Sequence, residues 1–191
     1  WDARALAALG RLRVVPCGDG AHRALVGEDR AWLRPPGALG DFIAEEVPAW
    51  VPFVRGDVAD AFAATLARMG AVAASLDALR AVGPVMTPTA LRRLYGVLHA
   101  TRDELSPAQW AKVARSPWFL DRHETPRALV GDEAALWAES AAIGALVPEA
   151  PWLHPDVLAS GVLAAMPAQV APRVGAREVV RALTSDEGAF G

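Results

Sequence analysis

Apolar residues recur at helical spacing along several stretches of the chain. From Thr87-Pro88, an N-cap followed by a first-turn proline, Leu91, Leu94, Tyr95 and Leu98 return every three or four residues, which predicts a helix over 88–103. Ser106-Pro107-Ala108-Gln109 has the form of a capping box with proline at the first helical position, opening a helix that turns Trp110 and Val113 inward and stops before Pro117. The period then changes. Trp118-Phe119-Leu120, the polar stretch 121–125 and the segment 127–130 predict a β-hairpin, as do residues 13–16, the turn Gly18-Asp19-Gly20 and residues 22–26 earlier in the chain. Short strands are expected at 31–34 and 134–138. Helical spacing resumes over 57–68, with Asp57 as N-cap, Val58, Phe62, Leu66 and Met69 on the apolar side and Gly70 closing it. A short helix from Ser75 carries Leu76 and Leu79, and helices are expected at 156–166 and 176–183.

These elements occur twice. Arg23-Ala24-Leu25-Val26-Gly27-Glu28-Asp29 returns as Arg127-Ala128-Leu129-Val130-Gly131-Asp132-Glu133, 104 positions on. The same offset sets Leu9 on Val113, Val14-Val15 on Trp118-Phe119 and Ala31 on Ala135. Trp50-Val51-Pro52 is set on Trp152-Leu153-His154-Pro155, and Arg68-Met69-Gly70 on Arg173-Val174-Gly175. Repetition of this length predicts a helix-rich α+β fold of two tandem modules of about 105 residues, 1–85 and 86–191, each with helices and a small hairpin. Trp1 to Leu9 aligns with 105–113, so the first module is expected to lack its opening helix, as in a piece excised from a longer chain with further units ahead of Trp1.

Composition narrows the function classes. Acid and base are balanced along the chain, with a net charge of −3, so neither half is built as a polyanion-binding surface. The single cysteine, Cys17, makes no internal disulfide, which points to a reducing, cytoplasmic setting. No apolar run approaches the roughly 18 residues that span a bilayer, so no membrane role is expected.

The helical pair, the hairpin, the Trp-x-Pro or Trp-x-His-Pro segment and the closing helices together resemble the repeat regions of sacsin-like proteins, large chains in which a GHKL-type ATPase-like domain precedes helical and α+β repeats. The resemblance is carried by Leu94-Tyr95, Leu105-Ser106-Pro107, Ser116-Pro117-Trp118-Phe119-Leu120, Trp152-Leu153-His154-Pro155 and Val174-Gly175 with Val179-Val180. It implies a chaperone-like, client-binding or scaffolding segment, with the nucleotide chemistry in another domain. That chemistry needs a Glu-to-Asn helix motif to hold magnesium, and this chain has no Asn.

No catalytic, cofactor or metal residue is expected. Cys17 and His22 face each other across a turn without a second Cys–His pair for zinc, and His99, His123 and His154 read as surface or capping residues. The adjacent acids Glu45-Glu46, Asp103-Glu104, Asp132-Glu133 and Asp186-Glu187 point apart at element ends. Six of the seven tryptophans (Trp32, Trp50, Trp110, Trp118, Trp137 and Trp152) fall at packing positions of the repeat. The functional alternative makes Trp50, Phe53, Trp152 and His154 exposed anchors for a protein partner or for neighbouring repeat units. The leading expectation is a non-catalytic interaction module, which as an isolated piece would self-associate into a homo-oligomer through apolar surface its neighbours leave uncovered. Two alternatives stand beside it. Residues 87–130 have the order of a winged-helix DNA-binding segment with a local charge excess of +3, offering Gln109, Lys112 and Arg115 as nucleic-acid contacts. The other is an enzyme with an unrecognised active site between the modules.

Overall fold

A computed structural model describes residues 2–82, 86–131, 134–138, 140–167, 173–177 and 180. The fold is mixed α+β and helix-rich, with two small antiparallel two-stranded sheets. Internal contacts divide the chain into two compact units, Trp1–Val85 and Met86–Gly191.

In the first unit, α1 (Ala3–Leu9) starts where the Asp2 carboxylate accepts the Ala5 N–H at 2.7 Å. Strands β1 (Val15–Pro16) and β2 (His22–Arg23) pair antiparallel, Val15 opposite Arg23 and Pro16 opposite His22. Helices α2 (Ala38–Glu46), α3 (Gly56–Arg68) and α4 (Leu76–Val82) follow. Single bridges extend the hairpin: Cys17 pairs antiparallel with Val54, Trp32 parallel with Phe53, and Leu33 parallel with Ala73. Leu6, Val15, Cys17, Leu25, Ala31, Val54, Leu66 and Met69 close into one core under these segments.

In the second unit, α5 (Pro88–Ala100) is capped by Thr87, whose hydroxyl accepts the Ala90 N–H at 3.1 Å. A 3-10 turn at Arg102–Glu104 leads to α6 (Pro107–Ala114), where both halves of the Ser106–Gln109 capping box are made. Strands β3 (Phe119–Leu120) and β4 (Pro126–Arg127) pair as β1 and β2 do. The remaining helices are α7 (Ala141–Leu146), α8 (Pro155–Ala159) and α9 (Val162–Ala165). Tyr95 stacks on Phe119 with ring centroids 6.0 Å apart, and Leu91, Leu94, Leu98, Leu120, Val157 and Val162 are fully buried.

Several backbone bonds of one unit have a counterpart in the other. Leu25 N–H donates to Gly10 O (2.8 Å) and Leu129 N–H to Ala114 O (2.7 Å); Ala31 N–H donates to Ala24 O and Ala135 N–H to Ala128 O, both at 2.8 Å. These pairs stand 104 residues apart. Beyond the α2 and α7 segments the spacing contracts to 100 and then 99: Trp50 N–H donates to Val47 O and Ala150 N–H to Val147 O, while Trp32 N–H donates to Pro52 O and Leu136 N–H to Pro151 O. Phe53, not Trp50, is therefore the positional equivalent of Trp152.

The structure corrects several sequence expectations. Helices α2 and α7 are additional elements. The helix expected over 156–166 is two, broken at Ser160–Gly161. Helix α3 starts at Gly56 with Arg55, not Asp57, at the N-cap; Asp57 sits in the first turn and is held by Arg55 Nε at 2.6 Å. Phe62, placed on the apolar side, is 56% exposed because non-helical backbone at that residue (φ −126°) interrupts the helical period. The strands expected at 31–34 and 134–138 are isolated bridges at Trp32, Leu33, Leu136 and Ala138. The helix expected over 176–183 lies largely outside the described residues, as do Trp1, Asp132-Glu133 and Asp186-Glu187.

Candidate functional site

The first unit carries a surface cleft of about 730 Å³ with an aromatic lining. Trp50 stands on it at the turn that follows α2, where Trp50 N–H and Val51 N–H both donate to Val47 O (3.0 and 3.1 Å). Val47 and Val51 are buried on either side and anchor the turn, while Trp50 remains 49% exposed. Trp32 also borders the cleft, its side chain almost wholly buried. Its backbone is clamped by Pro52 O and Val54 N–H (both 2.9 Å), and the Arg30 guanidinium lies over its ring, 4.1 Å from the centroid. A cation over an indole face is attracted by the ring quadrupole. Glu28 lines the cleft as well, exposed and without an ion pair among the described residues.

The expected anchors do not gather in one place. Trp50 faces this cleft, whereas Phe53 is half-buried and lines a second one of about 680 Å³ with Arg34, Asp41, Arg55 and Asp60. Trp152, in the other unit, is half-buried and its indole N–H donates to Val147 O at 2.8 Å. His154 caps α8, its Nδ1 accepting the Asp156 N–H at 3.2 Å. These last two side chains are engaged in holding their own unit. Of the other tryptophans, Trp32, Trp110 and Trp118 are buried as expected, and Trp137 is half-buried under the Arg173 guanidinium, 4.4 Å from its ring centroid.

The second unit holds its polar groups in closed networks. Arg92 joins Asp156 (2.5 Å) to Glu124 (2.6 Å), and this guanidinium holds the Asp156 carboxyl below the usual carboxylate range. Asp121 is fully buried; burial pushes its carboxyl up, but the Arg127 guanidinium at 2.6 Å and the N–H groups of Thr125 and His123 outweigh that and leave it lowered. The Tyr95 hydroxyl, pushed up to about 12 chiefly by burial, accepts the Leu120 N–H at 2.9 Å. In the first unit burial likewise raises the Cys17 thiol, which is 2% exposed. These groups are saturated by structural bonds, an arrangement suited to holding a hairpin rather than to moving protons. No group of three or more His, Cys, Asp or Glu side chains is placed to hold a metal among the described residues.

The nucleic-acid contacts fare differently from one another. Gln109 is occupied by the capping box, its Oε1 accepting from both Ser106 N–H and Ser106 Oγ. Lys112 is half-buried, and Arg115, the C-cap of α6, is exposed. Only one of the three is thus presented freely on the helix surface.

Sequence reasoning named Trp50 but missed Glu28 and Arg30. The comparison of the two units in correct alignment singles out Arg30, because Arg30, Trp32 and Trp50 stand where the second unit has Ala134, Leu136 and Ala150; it does not single out Glu28, which stands where the second unit has Asp132. No helix of the described residues is long and apolar enough to cross a membrane. No family model matches the chain, and no curated protein or solved structure matches it.

Proposed function

We propose that this chain is a non-catalytic protein-interaction module of the chaperone-like, scaffolding kind that the resemblance to sacsin-like repeats implies, built from two copies of one α+β unit and working in the cytoplasm. The matched backbone bonds of the two units support the duplication. The observation that carries the function is Trp50, a tryptophan left half-exposed on a cleft that Glu28 and the Arg30–Trp32 pair also line. Leaving an indole in water forgoes about 2 kcal/mol or more of apolar burial. Tryptophan and arginine are the residues most enriched at binding hot spots. The side chains that line the cleft, Glu28, Arg30, Trp32 and Trp50, offer charge and an indole surface, which favours a binding role for it.

The test is selection of a displayed peptide library on the full chain, followed by binding of the enriched peptides to the Trp50→Ala variant. Enrichment of a common motif whose affinity drops roughly tenfold or more in the variant supports the reading. Enriched peptides that bind wild type and variant equally would remove Trp50 from it.

A further inference from the structure

We infer that the face of the first unit that carries Val14, Phe62 and Ala63 docks one amphipathic helix of a separate protein chain, with the chemistry that α5 has in the second unit. The inference rests on the reading of the two units as copies and not on the Trp50 cleft. In the second unit α5 packs on β3, α8 and α9. Tyr95 stacks on Phe119 and its hydroxyl accepts Leu120 N–H, the His99 ring lies beside Gly161, and Arg92 pairs with Asp156. Among the described residues no helix of the first unit takes the place of α5. The platform beneath it is nevertheless built alike. Val14 N–H donates to Leu12 O as Trp118 N–H does to Ser116 O, and Arg55 N–H donates to Pro16 O as His154 N–H does to Leu120 O.

This platform is covered in one unit and bare in the other. Ser116 and Trp118, which lead into β3, are buried, Trp118 being 4% exposed, whereas their counterparts Leu12 and Val14 are exposed, Val14 at 51%. Val162 and Leu163 of α9 are buried, whereas Ala63 and Ala64 in the same places on α3 are exposed, and so is Phe62 in the place of Gly161. Because a single helix spans β3 and α9 in the second unit, the matching positions of the first share one face. Apolar residues gathered on an exposed face mark an interaction surface, and an amphipathic helix laid on such a face is a recurring mode of recognition.

The second unit also specifies the occupant. It presents apolar residues in the pattern of Leu91, Leu94, Tyr95 and Leu98. It carries an arginine in the place of Arg92, because Asp57 stands exposed where Asp156 receives that guanidinium; Arg55 holds Asp57 from one side as His154 Nδ1 approaches Asp156, at 3.3 Å. It has a small residue in the place of His99. A Cβ on Gly161 would lie 3.3 Å from that ring, and the first unit puts the whole side chain of Phe62 there. A second copy of this chain cannot supply the helix without opening its own second unit, since Leu91, Leu94 and Leu98 are fully buried in it.

The experiment titrates fluorescein-labelled peptides with the full chain, read by anisotropy. The first peptide is residues 87–101 with His99→Ala, the second adds Leu94→Ser and Leu98→Ser, the third adds Arg92→Glu to the first, and the fourth keeps His99. The first is expected to bind, with affinity lowered roughly tenfold or more by Ala63→Glu in the chain and severalfold by Phe62→Ala. The third and fourth are expected to bind severalfold more weakly than the first, and the second not at all. Both substituted positions are exposed, so the variants are expected to keep the wild-type circular dichroism, and Val14→Glu serves as a third variant outside α3. Failure of the first peptide to bind, equal binding of the first and second, or binding that Ala63→Glu and Phe62→Ala leave unchanged, as exchange with α5 in the second unit would be, overturns the inference. Self-association of the full chain that Phe62→Ala abolishes, seen by sedimentation in place of peptide binding, makes the occupant a second copy and also overturns it. If the first peptide fails while library peptides bind through Trp50, this inference falls and the interaction reading stands.

Discussion

Cys17 and Asp121 each open a hairpin turn, donating their backbone N–H to the residue four positions on (Ala21 O at 2.9 Å, Thr125 O at 3.0 Å) and bridging a later segment at Val54 or Leu153. What differs is the side chain. Asp121 accepts Arg127 Nε at 2.6 Å, whereas Arg23 Nε, the equivalent atom beside Cys17, is buried without a hydrogen-bond partner. An unmet buried donor costs about 1–3 kcal/mol. Cys17→Asp is accordingly expected to raise stability by about 1 kcal/mol, seen as a rise of roughly 2–4 °C in the thermal midpoint; a fall would show that Arg23 gains nothing from a carboxylate. In the second unit, Asp121→Ala removes the Arg127 ion pair and leaves the His123 and Thr125 N–H groups without this acceptor, and is expected to cost about 2–4 kcal/mol in urea unfolding. The pH dependence has a definite sign. The folded carboxyl of Asp121 is lowered below its unfolded value of about 3.9, so its contribution is present above about pH 4 and is lost as pH falls through the folded value. The stability difference between wild type and Asp121→Asn should therefore shrink on acidification below about pH 4 and stay constant from there to neutrality.

Among the elements, α6 is the one whose start is written most completely in local chemistry. Ser106→Ala removes the hydroxyl that accepts Gln109 N–H and donates to Gln109 Oε1, leaving the Gln109 side chain only the backbone N–H of residue 106, and is expected to cost about 1 kcal/mol, with faster amide exchange confined to the first turn of α6. Helix α1 ends differently from α6 although both deliver the same carbonyl to the hairpin. Gly10 packs so tightly on α3 that a Cβ there would lie 1.8 Å from Met69 O, a backbone atom that cannot swing aside. Gly10→Ala is therefore expected to destabilise by about 3 kcal/mol or more, while its equivalent, Ala114, carries a methyl group in the core. Helix α3 also shows how a kink redistributes a face. Leu66 and Met69 reach the core beyond the break at Phe62, and the same place in the second unit, 99 residues on, is the Ser160–Gly161 gap between α8 and α9.

At the scale of the whole molecule, two small cores and an uneven distribution of aromatic exposure define the protein. Leu25 is fully buried and Leu129 is 6% exposed, and each hangs from the end of a helix by the same backbone bond. Truncation of a buried leucine costs about 2–5 kcal/mol. Leu25→Ala and Leu129→Ala are expected to fall in that range and within about 1 kcal/mol of each other; a negligible loss at one position would mean that the two cores are not built alike. Trp50 is the most exposed of the described tryptophans, and Trp110 and Trp118 are shielded. Trp50→Phe is accordingly expected to lower the acrylamide quenching constant of the full chain, whereas Trp110→Phe should lower stability and leave the accessible emission largely intact.

What the sequence determined by itself was local. The caps at Thr87 and Ser106, the two hairpins, the inward faces of Leu91, Leu94, Tyr95, Trp110 and Val113, and the helix-rich α+β class all follow from interactions among residues a few positions apart, which local pattern records directly. The elements it concealed lack such signals. Helix α2 opens at Gly37 with no side-chain cap and follows two prolines, and α7 spans six residues, too few to display a period. The single bridges of Trp32 and Leu136 need partners about 20 residues or 16 residues further on, and the shortened spacing between the units hides which tryptophan corresponds to which. The candidate site was legible only at Trp50. That Glu28 and Arg30 share its cleft, that Trp32 turns its face to a guanidinium, and that Trp152 and His154 are consumed by Val147 and Asp156 depend on segments brought together by folding, so only the tertiary structure decided them.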